Sequence, residues 1–282
     1  MALSKKLSLL DVFCIASGAM ISSGIFVLPG LAFRMAGPAM IVAYLLAGTL
    51  ALVATLNVIE LSTAMPKAGG DYYFITRSMG PLLGTVAGLL SWAALSLKTS
   101  FAVYGLARVT QLLLGIPALP VALVLCVAFT LLNLLGTSKA AAFEVGLVLA
   151  LLALMGAYVV LGLPRMQEVH FVPFLAENDP FLLPLTAGFV FVAFAGLLTT
   201  SSVSEEVVNP RRNLPLGFLL SLGVIILCYV MMLVVTVGVL PANELRGSLT
   251  PIADGARRIA GTPGYVLMTL AALLAFITTA NA

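Results

Sequence analysis

The stretch Ser17-Gly18-Ala19-Met20-Ile21-Ser22-Ser23-Gly24-Ile25-Phe26 lies inside the first long apolar run of the chain, residues 10–33. Glycine weakens a helix by about 1 kcal/mol relative to alanine, and serine hydroxyls compete for backbone hydrogen bonds. One interpretation of the stretch is close helix packing through small residues. The other is a membrane-spanning helix that is interrupted near its middle.

The composition of the whole chain indicates a membrane protein. Of its 282 residues, 61% are hydrophobic and only 9% are charged, whereas about 25% are charged in soluble domains. The mean hydropathy is +1.16. These values exclude a soluble domain, whose surface must face water, and a disordered chain, whose composition is the opposite.

Seven apolar runs have about the 20 residues that cross the hydrocarbon of a bilayer, and an eighth begins near residue 262. In chain order, spans 1 to 7 cover residues 10–33, 39–63, 81–114, 119–136, 142–163, 181–203 and 214–240. The runs are continuous rather than alternating, which favours helices over a barrel. The sequence therefore predicts an all-α polytopic membrane protein.

Span 6 carries a second cluster of small and polar residues, Ala195-Gly196-Leu197-Leu198-Thr199-Thr200-Ser201-Ser202. It comes five spans after the first cluster. Interruptions at matching positions of two five-span halves predict an inverted-repeat transporter with a site near the middle of the membrane. An unwound stretch exposes N–H groups, which bind a carboxylate, and carbonyls, which bind an ammonium. A zwitterionic amino acid presents both groups.

Three groups of residues resemble a known family. They are GAMISSGIF at 18–26, PKAGGDYY at 66–73 followed by Gly80-Pro81, Gly88 and Trp92, and the segment from Phe194-Ala195-Gly196 through Glu205-Glu206 to NPRRNLP at 209–215. In this order they resemble the amino acid–polyamine–organocation (APC) superfamily of amino acid permeases. The resemblance implies a LeuT-like fold of two inverted five-helix repeats. Residues 1–163 would form the first repeat, and residues 164–282 an incomplete second repeat that is truncated in span 8.

The resemblance also implies where a substrate binds. The implied contacts are Ser22, Ser23 and Gly24 for the carboxylate, the backbone carbonyls of Met20, Val192 and Ala195 for the α-amino group, Gly196 for the approach of span 6, and Phe194 and Leu198 for the side-chain pocket. Some family members carry an acidic residue where this chain has Leu198. This departure favours a substrate with a neutral or apolar side chain.

Coupling to an ion has three candidate residues. Some members of the family place a lysine on span 5 where others bind sodium, but this chain has Ala150 and Leu151 there. Thr278 and Thr279 are candidates for the span 8 part of a sodium site. Lys98 lies within span 3 and is a functional hypothesis by default, as a proton carrier or as a fixed cation in place of sodium. The alternative is a lysine that reaches to the outer surface.

The remaining charged residues of the spans have simpler interpretations. Glu205 and Glu206, with Arg211, are interpreted either as a cytoplasmic network that locks an inward gate or as a solvated loop. Glu144, near the start of span 5, is expected at the level of the lipid headgroups. Trp92 is expected to be a packing residue.

The predicted function is a secondary active transporter that moves amino acids by alternating access, coupled to protons or to a counter-substrate. The alternatives are a non-functional fragment of such a permease and a transporter of another small amine or organic cation. A single histidine and three widely separated cysteines predict no metal site, no cofactor and no enzyme. No basic stripe indicates nucleic acid. Lysine and arginine in the loops favour a cytoplasmic N-terminus, in a multi-pass protein of the plasma (inner) membrane.

Overall fold

The structure is a computed structural model that describes residues 6–65, 67, 69–134, 137–175, 179 and 181–281. It is 88% helical, and the described residues form no β-strand beyond one isolated parallel bridge between Leu7 and Val207. The predicted all-α class is confirmed.

The described residues of the first half form eight α-helices, and a 3₁₀ turn at Gly37–Ala39 joins the third to the fourth. The α-helices are α1 (Leu9–Met20), α2 (Ser23–Phe26), α3 (Leu28–Ala36), α4 (Met40–Ala64), α5 (Gly70–Met79), α6 (Pro81–Leu114), α7 (Ala118–Leu134) and α8 (Thr137–Gly162). Span 1 therefore consists of three consecutive helices, α1 to α3. The interruption predicted within span 1 is confirmed at Ile21, whose backbone is extended with φ −71° and ψ 100°.

The second half contains four α-helices and a long 3₁₀ helix. They are α9 (Leu182–Val190), the 3₁₀ helix Phe191–Glu206, α10 (Pro210–Val239), α11 (Ala242–Gly247) and α12 (Pro251–Asn281). Span 6 changes from α to 3₁₀ geometry at Phe191, four residues before the cluster that the sequence singled out. A kink at Ala260 and Gly261 divides α12, because Gly261 adopts a φ of 67° that only glycine reaches without strain.

Within the described part of the chain, five helices are long and apolar enough to cross a membrane: Leu28–Ala64, Pro81–Ala107, Ala142–Arg165, Pro210–Val239 and Pro251–Thr279. Three shorter apolar helices, Leu9–Met20, Ala118–Leu131 and Leu182–Gly196, lie where spans 1, 4 and 6 are predicted.

Helix α1 lies at the centre of the fold, where it packs against α8, α10, α12 and the 3₁₀ helix. Its residues from Ala16 to Met20 are buried. The outer helices α6 and α7 instead present large apolar side chains outward, and Leu82, Leu119 and Leu134 are 79%, 72% and 76% exposed. This arrangement suits lipid as the surrounding solvent and places the interrupted helix inside.

Candidate functional site

The interruption of span 1 frees backbone carbonyl groups that a continuous helix would use internally. The hydroxyl of Tyr229, on α10, donates to the Met20 carbonyl at 2.9 Å. The hydroxyl of Tyr44, on α4, donates to the Gly24 carbonyl at 2.7 Å. Both tyrosines are fully buried, and their rings meet edge to face at 6.2 Å. Two helices therefore hold the interrupted segment on one side.

Two further helices donate to the same segment. The Lys98 ammonium, on α6, donates to the Ala19 carbonyl at 2.7 Å. Thr278 and Thr279, on α12, each share one hydroxyl proton between the Ala275 carbonyl of their own helix, at 2.9 Å, and a carbonyl of span 1. The span 1 partners are Gly18 for Thr278 at 3.3 Å and Ile21 for Thr279 at 3.4 Å. The threonines reach the segment from α12, whereas Lys98 reaches it from α6.

Spans 1 and 6 approach each other closely through glycines. A Cβ atom at Gly196 would overlap the carbonyl oxygen of Ala19. A Cβ atom at Gly24 would lie 2.6 Å from the Cβ atom of Ala193, closer than real Cβ atoms come to a neighbouring atom. Glycine is required at both positions by this contact between the two interrupted spans.

A cavity of about 470 Å³ borders this crossing. Four of the predicted substrate residues line it, namely Ser22, Gly24, Val192 and Ala195. The other predicted residues are placed differently: Met20, Phe194 and Gly196 are buried behind the wall. Phe194 packs its ring on Tyr229 at a centroid distance of 5.4 Å.

Not every predicted residue has a described side chain. The side chains of Ser23 and Leu198 lie outside the described part of the structure. Their backbones belong to α2 and to the 3₁₀ helix, so the predicted substrate residues do come from the two interrupted spans.

Sequence reasoning missed one wall of the cavity, which α6 contributes. Gly88, Ser91, Trp92, Leu95 and Lys98 line it at spacings of three and four residues, which place them on one face of a helix. This helical spacing was the feature of the sequence that could have identified the wall. Trp92, which was expected to be a packing residue, belongs to the wall.

Lys98 does not extend to a surface, contrary to the alternative considered from the sequence. Its side chain is partly buried and its ammonium is held at the interruption of span 1. Among the described residues, Lys98 and Asp71 are the charged groups that line the cavity. Asp71 belongs to α5, outside the membrane-spanning helices, and burial raises the pKa of its carboxyl above the ordinary value.

The expectation that Glu144 lies at headgroup level is wrong. Its side chain is only 1% exposed, and its carboxylate lies against Gly18, where any Cβ atom would overlap Oε1. Because glycine has no side chain, the Glu144 carboxylate has room to lie beside Gly18. The small residues of span 1 therefore allow a polar group of α8 to pack against α1.

The predicted gate residues lie where span 6 ends. Lys67 and Glu205 form an ion pair at 3.6 Å. The backbone amides of Lys6 and Leu7 both donate to the carbonyl of Glu206, at 2.9 and 3.0 Å. Arg211 is exposed at the start of α10. The described partner of Glu205 is therefore Lys67, from the segment before α5.

A family model described as amino acid permease matches residues 7–282. The chain belongs to the amino acid permease family. This confirms the resemblance noted in the sequence, and the five apolar helices together with the family indicate an integral, multi-pass membrane protein. The members of this family are transporters and not enzymes.

Several curated relatives are 26% to 28% identical to this chain over the part that aligns. An uncharacterized protein of Methanocaldococcus jannaschii is 26% identical over 99% of this chain and 66% of its own length. The methylthioribose transporter of Bacillus subtilis is 28% identical over 86% of this chain and 57% of its own length. The branched-chain amino acid permease of Lactococcus lactis is 26% identical, over 86% and 58%. The chain thus spans less than two thirds of the length of these relatives.

Proposed function

We propose that the permease is a secondary active transporter that moves amino acids with neutral or apolar side chains by alternating access. One observation carries this proposal. The two interrupted spans cross at Ala19 and Gly196, beside a cavity of about 470 Å³ that both of them line. Interrupted helices with a cavity between them supply backbone groups where hydrocarbon would otherwise surround the ligand.

The two charged groups of an amino acid have separate partners in this proposal. The carboxylate binds near Ser22, Ser23 and Gly24, where the chain re-enters a helix and its first N–H groups are not used internally. The ammonium binds carbonyls of Met20, Val192 and Ala195. The Met20 carbonyl already accepts from Tyr229, and its second lone pair is the one a substrate uses. Phe194 and Leu198 flank the side chain of the substrate.

Coupling is assigned to two sets of residues. Thr278 and Thr279, together with the carbonyls of Gly18 and Ile21, gather oxygen atoms of spans 1 and 8, which suits a monovalent cation as a co-transported substrate. Lys98 acts at Ala19 as a proton carrier or fixed cation. In this proposal, transport of the substrate is coupled to protons or to a counter-substrate.

The architecture proposed for this cycle is LeuT-like, with residues 1–163 as the first repeat and 164–282 as part of the second. The N-terminus lies in the cytoplasm, in a plasma (inner) membrane. The inward gate includes Glu205, Glu206 and Arg211. The ion pair between Glu205 and Lys67 supports this role for Glu205.

Ligand-induced thermal stabilisation of the purified permease in detergent tests the function. We expect leucine and other apolar amino acids to raise the melting temperature, and Gly24→Leu to abolish the effect because its side chain collides with Ala193. Gly223→Leu is the matched control, since a Cβ atom there meets nothing within 4 Å.

Two outcomes contradict the proposal. If no amino acid stabilises the wild-type protein while a small organic amine does, the substrate class is wrong. If Gly24→Leu and Gly223→Leu respond to leucine equally, the site does not lie at the crossing of spans 1 and 6.

A further inference from the structure

Lys98 brings a positive charge into the cavity assigned to the substrate. Its ammonium donates to the carbonyl of Ala19, and that same oxygen marks the crossing with Gly196. The side chain therefore lies at the point where spans 1 and 6 meet, and its charge faces the same space as Ser22 and Gly24.

The ammonium of Lys98 forms no ion pair with an acid among the residues that the structure describes. Among the described residues, the ion pairs within 4.0 Å are Lys67–Glu205 and Arg258–Glu244, and neither involves Lys98. The Ala19 carbonyl supplies only a dipole. The electrostatic field of the ammonium therefore extends into the cavity, where apolar walls screen it less than water would.

The other charged residue of the cavity lies at a distance. Asp71 precedes Tyr72, and Tyr72 packs over Gly88, where a Cβ atom would lie 2.8 Å from its ring. Lys98 follows Gly88 by ten residues, which is about 15 Å along α6. The end of the cavity at the helix crossing is thus positive, and the acidic group belongs to the opposite end.

We propose that Lys98 determines specificity by excluding cationic amino acids and amines, so that the substrate is a zwitterion without net charge. The inference rests on the proposed function and identifies the residue that sets its substrate class. A zwitterion brings no net charge toward the ammonium, whereas arginine or a polyamine brings at least one positive charge. In a poorly screened cavity, Lys98 would repel a cationic ligand, so the site would select neutral ligands by repulsion of the others and not by a better fit.

Competition binding measures this repulsion with two ligands that differ in charge and little in shape. Tritiated leucine bound to the purified permease is displaced by arginine or by citrulline, its uncharged analogue. For the wild type we expect citrulline to compete about 10- to 100-fold better than arginine, from the repulsion of unit charges several ångströms apart at an intermediate effective dielectric constant. For Lys98→Met and Lys98→Gln we expect this ratio to fall to about threefold or less.

Two control variants isolate the charge at this position. Lys98→Arg keeps the charge and should keep the ratio of the wild type. Arg165→Gln removes a charge at the end of span 5, outside the residues that line the cavity, and should also keep it.

The possible failures are distinguishable. If leucine binds and the neutral variants still discriminate as the wild type does, the inference is overturned and the proposed function stands. The inference is also overturned if both neutral variants melt like the wild type but bind no leucine, since Lys98 then serves binding itself. If the wild type binds no leucine, the proposed function fails, and the inference fails with it.

Discussion

Spans 1 and 6 are both interrupted, but they satisfy their backbone groups in opposite ways. In span 1 the chain leaves helical geometry at Ile21, and side chains from α4, α6, α10 and α12 donate to its carbonyls. In span 6 the chain remains hydrogen-bonded to itself, in a 3₁₀ helix from Phe191 to Glu206. The first interruption has hydrogen-bond partners on four other helices, and the second keeps hydrogen bonds along its own backbone.

This difference assigns different mechanical roles to the two spans. Four helices fix the carbonyls of span 1, so its interruption keeps one geometry as long as those helices stay in place. A 3₁₀ helix has poorer hydrogen-bond geometry than an α-helix and rarely exceeds four residues. The long 3₁₀ helix of span 6 has the weaker internal hydrogen-bond geometry of the two spans, so we expect its pitch to be the more adjustable.

The contact that joins the two spans gives the largest expected effect. Gly196→Ala places a Cβ atom on the carbonyl oxygen of Ala19, and because this oxygen belongs to the backbone, the helices must separate. We expect a loss of about 3 kcal/mol or more, or no folded protein at all. Thermal unfolding in detergent measures it. Gly223→Ala, in open space, should leave stability unchanged or raised. Equal melting temperatures would contradict the contact.

The external support of span 1 gives the next largest effect. Tyr229→Phe removes the donor to the Met20 carbonyl, which is buried, and should lower the free energy of unfolding by about 1–3 kcal/mol. Chemical denaturation in mixed micelles measures the change. Tyr265→Phe is the control, because its ring contact with Arg257 remains. If both variants lose the same stability, the hydroxyl of Tyr229 does not support span 1.

The threonines of α12 should contribute less, because their bonds to span 1 are long. Thr278→Val and Thr279→Val each remove one donor, at 3.3 and 3.4 Å, and should cost about 1 kcal/mol apiece. Thr269→Val removes a hydroxyl that bonds only within its own helix, to Tyr265. The same denaturation experiment compares the three variants. A loss for Thr269→Val as large as the others would mean that the contact with span 1 adds nothing.

The smallest effect belongs to the end of span 6. Lys67→Gln breaks the ion pair with Glu205, and the Lys67 side chain is 59% exposed. We expect less than about 1 kcal/mol, and a difference from the wild type that disappears in high salt. Melting temperatures at low and high salt measure it. A large loss that salt does not reduce would show that the Lys67 side chain supports this end of span 6 by more than the ion pair.

Composition and periodicity were sufficient to predict the membrane class, the helical runs and the interruption at Ile21. The start of the 3₁₀ helix at Phe191 was not predictable, because Phe191, Val192 and Phe194 are ordinary residues of an apolar helix. Their departure from α-geometry occurs beside the close approach of Gly24 to Ala193, and a single sequence does not reveal contacts between distant segments.

The residues that line the cavity were predictable only in part, for the same reason. The cluster that contains Ser22 and Gly24 was conspicuous as small residues in a membrane span, and the family resemblance implied both as substrate contacts. Tyr44 and Tyr229 escaped notice because buried tyrosines usually serve packing, and only tertiary structure reveals that their hydroxyls reach span 1. Glu144 was misplaced because its position near the beginning of span 5 was taken as a measure of depth.

The short parallel pairing before α1 has a consequence for movement. Lys6 and Leu7 donate to Glu206, and Val208 donates to Leu7 at 2.9 Å, so the residues that lead into span 1 are joined to those that leave span 6. The two spans are therefore connected twice, once at the glycine crossing in the middle and once at this end. Two points of attachment remove the freedom of one rod to swing about the other. We therefore expect a tilt of span 6 to move the beginning of span 1, at α1, together with it.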